Sequence, residues 1–331
     1  METPAKKMTA VVMEKYGGPE VLRLSTEVEV PTPDANQVLV QMKAIGINSV
    51  DSRVREGGYM QKLFKPGHAL GIDGSGIVEA VGEGVAKYKP GDRVYIVPGK
   101  TGTYAQYVLA NENSVYPLHE KLSFNEGAVL PIPYFTVYRA LVQRAKLEKG
   151  ETLLIQGASG QVGLACIQIA RWLGASYIVG TAGRLEGRNL ALKSGADAVI
   201  DYRADDFQDQ LKEAFKDKKI DVIVEMNSDI NMKLDMEIIG YGGRIVVVGK
   251  RGETKCDPGN LLGKEASVMG SGLRLSTESQ RMTMAKGLYE AAEEGWIKPH
   301  INKEYPLEEA EKAHREMDDR KGGVGKSIFV L

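Results

Sequence analysis

Cysteine is scarce in this chain: its 331 residues include only two, Cys166 and Cys256. A disulfide framework is excluded, and a reduced, cytoplasmic setting is the expectation. Long apolar runs are missing too. No stretch approaches the roughly 18 uninterrupted apolar residues of a spanning helix, and the opening METPAKKMTA lacks the apolar core of a signal peptide. Charge of one sign is absent as well, with 43 Lys plus Arg against 44 Asp plus Glu. That balance gives no electrostatic case for nucleic acid or a membrane surface. The longest basic cluster, KDKK at 216–219, reads as a solvated helix end. Repeats and low-complexity tracts are absent, and the length predicts two domains.

What is present has two textures. Up to about residue 125 the chain offers short β-branched or aromatic runs, such as TAVVM, VLVQMKAIG, GSGIVEAVG, DRVYIV and YAQYVLA. Gly, Pro and Asp punctuate them, as in a compact barrel-like unit. From about 127, strands (ETLLIQ, YIVGT, AVID, DVIVEM, GGRIVVVG) alternate with helical segments such as GLACIQIARWLG and DFQDQLKEAFK. Such alternation predicts a parallel sheet covered by helices on both faces. A long helix is expected over TESQRMTMAKGLYEAAEEGW, a shorter one near PLEEAEKAHREMD, and a closing strand at KSIFVL that returns to the first domain.

The most specific motif is LLIQGASGQVGLACIQIA, a strand running through a glycine loop straight into a helix. Ala158, Gly160 and Gly163 fill the small positions of a dinucleotide fingerprint. Small residues permit the tight turn, the approach of backbone N–H groups to a pyrophosphate, and the packing of the helix on the sheet. An NAD enzyme usually carries an acid at the end of the second strand, to hold the ribose hydroxyls. Here that position reads Gly180-Thr181-Ala182-Gly183-Arg184, with Arg188 following. A missing carboxylate beside cations suits a 2′-phosphate, and NADPH is the expected cofactor. A second glycine string, GGVGKS at 322–327, fails as a phosphate loop because Arg320 stands where its first glycine belongs.

These motifs together resemble the medium-chain dehydrogenase/reductases, and within them the zinc-independent, zeta-crystallin-like quinone reductase branch. The resemblance runs along the chain through YGGPEVLRL, GDRVY, PIPYFTVYRAL, GASGQVGLACIQIAR, DVIVEMNSDIN, GGRIVVVGKRG and EGWIKPHINKEYPLEEAEKAH. It implies a GroES-like β-barrel catalytic domain from 1–126 plus 272–331 and a Rossmann domain from 127–271. It further implies a cleft between them for cofactor and substrate, and a homodimer or homotetramer paired through the strand in EASVMGSG. Zinc-using relatives hold their metal at positions matching Asn48, Ile72 and about Ile132. None of these ordinarily serves as a ligand, so no metal is expected. His68 lies outside that register and reads as a satisfied or solvated histidine.

Metal-free chemistry leaves hydride or electron delivery to an acceptor that is already electron-poor, a quinone or a conjugated carbonyl. Asn48 is a candidate to hydrogen-bond a substrate or cofactor oxygen, or else stabilises a turn. Asp51 is expected to orient a neighbour. Tyr59 offers a phenol for proton donation or stacking, or simply packs, and Thr136 either touches the nicotinamide or packs its helix. The resemblance assigns Ser159, Gly160, Gln161, Val162 and Gly163 to the pyrophosphate, and Gly183, Arg184 and Tyr202 to the adenosine end. It assigns Asn231, Val248, Gly249, Lys250, Arg251, Ser271, Gly272 and Leu273 to the ribose and nicotinamide. Arg53 replaces a tyrosine that the branch associates with the cofactor, and would pair with a phosphate or line a cationic mouth. An enoyl-thioester or alkenal reductase is the nearest alternative. An RNA-binding or structural crystallin-like role is the alternative of another class, one that the charge balance does not support.

Overall fold

The structure is a computed structural model that describes residues 5–97, 100–319 and 324–331. Part of the PGK turn (98–99) and part of the GGVGKS string (322–323) lie outside the described residues. The chain divides into two compact units, 1–132 with 300–331 and 133–299.

The first unit is built on a seven-stranded sheet. Its main order runs Ile301–Pro306, Lys326–Val330, Gln37–Gly46, Gly74–Val81, Arg93–Ile96 and Val115–Pro117, with Tyr107–Asn111 also paired to Gln37–Gly46. The Gln37–Gly46 strand has three partners along its length, which is why QVLVQMKAIG is almost continuously buried rather than alternating. A two-stranded ribbon, Lys7–Met13 with Leu22–Glu29, lies beside it through bridges from Ala10 to Ala105 and Val12 to Ala69. Val38, Val40, Ile45, Val54, Leu70, Val94 and Phe329 fill the core. Phe329 stands edge-on to Tyr104 at 4.8 Å, so the chain's last strand closes this core.

The second unit is a six-stranded, wholly parallel sheet. Its order is Ala198–Ile200, Tyr177–Thr181, Thr152–Gln156, Val222–Glu225, Arg244–Val247 and Ser267–Gly270. Numbered along the chain that is 3-2-1-4-5-6, and the order reverses between Thr152–Gln156 and Val222–Glu225. In open sheets of this kind ligands bind outside the carboxyl ends of the strands at that reversal.

Residues 272–299, expected with the first unit, pack in the second. The Glu278–Glu293 helix is the reason. Gln280 accepts from Arg139 at 2.9 Å, and a Cβ on Gly287 would lie 2.4 Å from the Tyr138 ring, so helix and ring meet closely there.

Candidate functional site

The phosphate loop is shaped by its glycines. Gly157 turns with φ of 90°, a region that L side chains avoid. A Cβ on Gly163 would sit 2.3 Å from the Gly157 carbonyl oxygen, so only glycine lets the Gln161–Trp172 helix come this close to the loop. Gly160 differs: a Cβ there meets only the Gly157 oxygen, at 3.8 Å, and would project into open space. The helix therefore starts over the loop, and its first-turn N–H groups, at Gln161, Val162 and Gly163, are the usual anion-binding donors of a helix N-terminus.

The expected cofactor residues of this unit lie after the carboxyl ends of its strands, whereas Arg53 belongs to the first unit. The Gly183 Cα faces Arg203 and Tyr202, since a Cβ there would lie 2.6 Å from the Arg203 Nε and 2.7 Å from the Tyr202 Cζ. Arg184 is exposed and begins the Leu185–Lys193 helix. Arg188 is committed to Asp201 in an ion pair, and Arg203, beside Gly183, is a cation that sequence reasoning did not consider. Its signal was the DYR triplet, read only for its tyrosine. Asn231 donates from Nδ2 to Glu225 Oε1 at 3.3 Å. Val248 N–H donates to the Glu225 carbonyl at 2.8 Å, Gly249 packs on Met226, and Arg251 N–H donates to Asp229 at 2.9 Å. Lys250 is exposed in this segment. Ser271 N–H donates to the Val247 carbonyl, its buried hydroxyl finds no partner among the described residues, and Gly272 and Leu273 lead into a short turn. Thr136 is half-buried in the Phe135–Tyr138 helix of this unit.

In the first unit Asn48 and Asp51 come together at the start of the Ser49–Arg55 helix. Asn48 N–H donates to Asp51 Oδ2 at 2.9 Å, the acid reaching back over the first turn. The Asn48 amide nitrogen donates to Asp73 Oδ1 at 2.7 Å. That contact fixes the carboxamide, because the flipped form would set oxygen against carboxylate. The donor half of Asn48 is thus occupied, and its buried Oδ1, without a donor among the described residues, is the atom left. Asn48 therefore has no free donor for a carbonyl oxygen, and its side chain holds the start of the helix against Asp73.

Behind this pair lies a buried polar chain that sequence reasoning did not foresee. Asp73 also pairs with Lys326 Nζ at 2.9 Å, both side chains wholly buried, and accepts from Ile132 N–H at 3.1 Å. Tyr104 donates to Asp51 Oδ2 at 2.9 Å and meets His314 Nε2 at 3.0 Å. Arg55 reaches His314 Nδ1 at 2.8 Å and Asp318 at 2.7 Å. Since Arg55 only donates, His314 Nδ1 accepts, and the ring proton lies on Nε2, pointing at Tyr104. Burial, then the Arg55 charge, brings the His314 pKa down to about 3. Burial first and the Asp73 carboxylate second raise that of Asp51 to about 7. Arg53 is exposed on the same helix, and Tyr59 packs half-buried against the core. His68 is exposed, with its ring against the Lys65 and Pro66 carbonyls. Ile72 is buried. Among the described residues no three His, Cys, Asp or Glu side chains gather as a metal site.

Comparison with known proteins follows this two-unit plan. Residues 34–120 match the alcohol dehydrogenase GroES-like domain, and residues 162–286 match the zinc-binding dehydrogenase domain. Together they define a medium-chain dehydrogenase/reductase. A quinone oxidoreductase of Sus scrofa is 42% identical over 331 residues, covering 100% of both chains. The crystal structure of Escherichia coli quinone oxidoreductase complexed with NADPH superposes with a TM-score of 0.87 at 31% identity, over 98% of this chain and 100% of that one. The chain belongs to the quinone oxidoreductase family. Fold alone does not separate substrates: an NAD-dependent alcohol dehydrogenase superposes with a TM-score of 0.88 at 30% identity, over 98% of this chain and 100% of that one.

Proposed function

We infer that this protein reduces quinones with NADPH as the reductant. The observation that carries the cofactor choice is the end of the Tyr177–Thr181 strand, where no acid stands and Arg203 and Tyr202 lie over Gly183. A carboxylate there would repel a 2′-phosphate, whereas a guanidinium can bind it with charge-assisted hydrogen bonds. The loop fits the rest of the molecule. Gly157 and Gly163 hold the helix N-terminus close, and Gly160 leaves space above the backbone for a pyrophosphate. NADPH, when bound, supplies the hydride. The chain's own residues bind its phosphates, through Ser159 to Gly163, and flank its ribose and nicotinamide, through Asn231, Val248 to Arg251 and Ser271 to Leu273. We read the protein as a cytoplasmic homodimer or homotetramer. The Ser267–Gly270 strand supports this as an edge of its sheet, with Val268 exposed on it.

The test is oxidation of reduced nicotinamide by chelator-treated enzyme with phenanthrenequinone, with an enoyl thioester as the rival acceptor and NADH as the rival donor. Quinone turnover preferring NADPH is expected. Arg203→Ala should raise KM for NADPH about 10- to 100-fold, the cost of a charge-assisted bond, and leave KM for NADH little changed. Turnover of the thioester alone would refute the quinone assignment.

A further inference from the structure

Two carboxyl groups lie under the cofactor loop, and neither forms an ion pair among the described residues. Glu225 ends the Val222–Glu225 strand, Asp235 sits in the Ser228–Ile238 helix, and both are fully buried. Gln156, paired with Glu225 across the sheet, donates to Asp235, and Asn231, one helical turn before Asp235, donates to Glu225, so the two acids are neighbours; Glu225 Oε2 and Asp235 Oδ2 have no hydrogen-bond partner among the described residues. Two adjacent, wholly buried carboxylates cannot both be ionised without severe repulsion, and a proton between those two oxygens resolves the conflict.

The other two oxygens of the pair take donors from different elements. Glu225 Oε1 accepts from Asn227 N–H and from the Asn231 amide, fixing the turn after its own strand. Asp235 Oδ1 accepts from Gln156 Nε2 at 2.8 Å. Gln156 Oε1 then accepts from the Thr181 hydroxyl at 3.0 Å, and that hydroxyl accepts from Gly157 N–H at 3.0 Å. Donors and acceptors alternate without conflict from the Asn231 turn to the first amide of the phosphate loop, provided that one proton sits between the acids.

We propose that Glu225 and Asp235 share one proton, and that this pair positions the Gly157 loop and the Asn231 turn relative to each other for cofactor binding. The proposal rests on the NADPH reading above. Neither acid is itself a catalytic residue; both are positioning residues. The groups facing them are Gln156 from one neighbouring strand and Asn227, Asn231 and the Met226 backbone from the turn. Of the cations against this helix, Lys264 donates to the Met236 and Glu237 carbonyls and Arg251 lies by Asp229. Burial raises the pKa of both acids, so the shared proton is lost as pH rises. Two facing negative charges then push the turn from the loop, and NADPH binding weakens on the alkaline side.

The measurement is the Kd for NADPH of the full-length protein against pH, by fluorescence titration, for wild type, Asp235→Asn and Glu225→Gln. Each amide can donate to the remaining carboxylate while still accepting the outer bond, so it mimics the protonated pair permanently. Wild-type Kd should climb by up to tenfold per pH unit above the pair's midpoint, as expected for one linked proton, while both variants stay flat over that range. Ionisation of the 2′-phosphate is common to all three proteins and cancels in the comparison. Infrared difference spectra of the ligand-free proteins should show one protonated-carboxyl band in wild type that both variants lack. Parallel pH curves, or an unchanged band, overturn the shared proton while leaving the NADPH reading intact. A wild type that binds no NADPH at any pH overturns both.

Discussion

At Asp51, burial and the nearby Asp73 carboxylate act in the same direction and hold a proton up to about pH 7. Its Oδ2 takes the Asn48 and Tyr104 donors, while the buried Oδ1 takes no donor among the described residues, so Oδ1 is where the proton belongs. The sign follows from linkage. The unfolded chain releases this proton near the ordinary value of 3.8, and the folded chain keeps it to about 7. The resulting stabilisation is complete below about pH 4 and is lost as pH rises through 7. Its ceiling is on the order of 4 kcal/mol, from a proton held about a thousandfold more tightly. Asp51→Asn keeps an oxygen for both donors and cannot ionise. Urea unfolding of wild type and variant between pH 4 and 8 should show wild type losing stability relative to Asp51→Asn across that window. Parallel curves would mean that Asp51 is ionised throughout.

Among the elements, the Gln161–Trp172 helix and its loop separate packing from binding at two glycines. In Gly163→Val the new side chain meets the Gly157 carbonyl at 2.3 Å, and the helix must retreat. Overpacking of this kind costs about 1–3 kcal/mol and carries the N-terminal donors away from the phosphate. In Gly160→Ala the backbone, at φ −77° and ψ 169°, suits alanine and the methyl enters open space. Gly160→Ala should therefore melt like wild type yet bind NADPH at least tenfold more weakly, whereas Gly163→Val should lose both stability and binding. Calorimetry alongside fluorescence titration distinguishes them. The loop was legible in the sequence because its demands are local: a strand, three small residues and a helix. The parallel strands were legible because burial on both faces turns them into apolar runs such as TLLIQ and VIVE. Residues 272–299 were misplaced for a related reason, since a helical pattern shows which face is apolar but not which unit that face covers.

At the scale of the whole molecule, the chain's final segment returns to the first unit and contributes to the setting of Asn48. Lys326 reads in sequence as the lysine of a failed phosphate string, but in the fold it pairs with Asp73, 253 positions away, with both side chains fully buried. Neither Lys326 nor the chain from Asp51 through Tyr104 and His314 to Arg55 carries a local pattern, because only the tertiary fold brings them together. Asp73 in turn holds the Asn48 amide and the Ile132 N–H. Removing one member of a buried ion pair strands the other charge, and Lys326→Met should cost about 3–5 kcal/mol in urea unfolding. Adding Asp73→Asn removes the stranded charge while keeping an oxygen for the Asn48 amide, so the double variant should recover most of that loss. The coupling between the two substitutions, rather than either cost alone, measures the pair. If Lys326→Met were as stable as wild type, the last strand would hold its place through Phe329 and the sheet bonds alone.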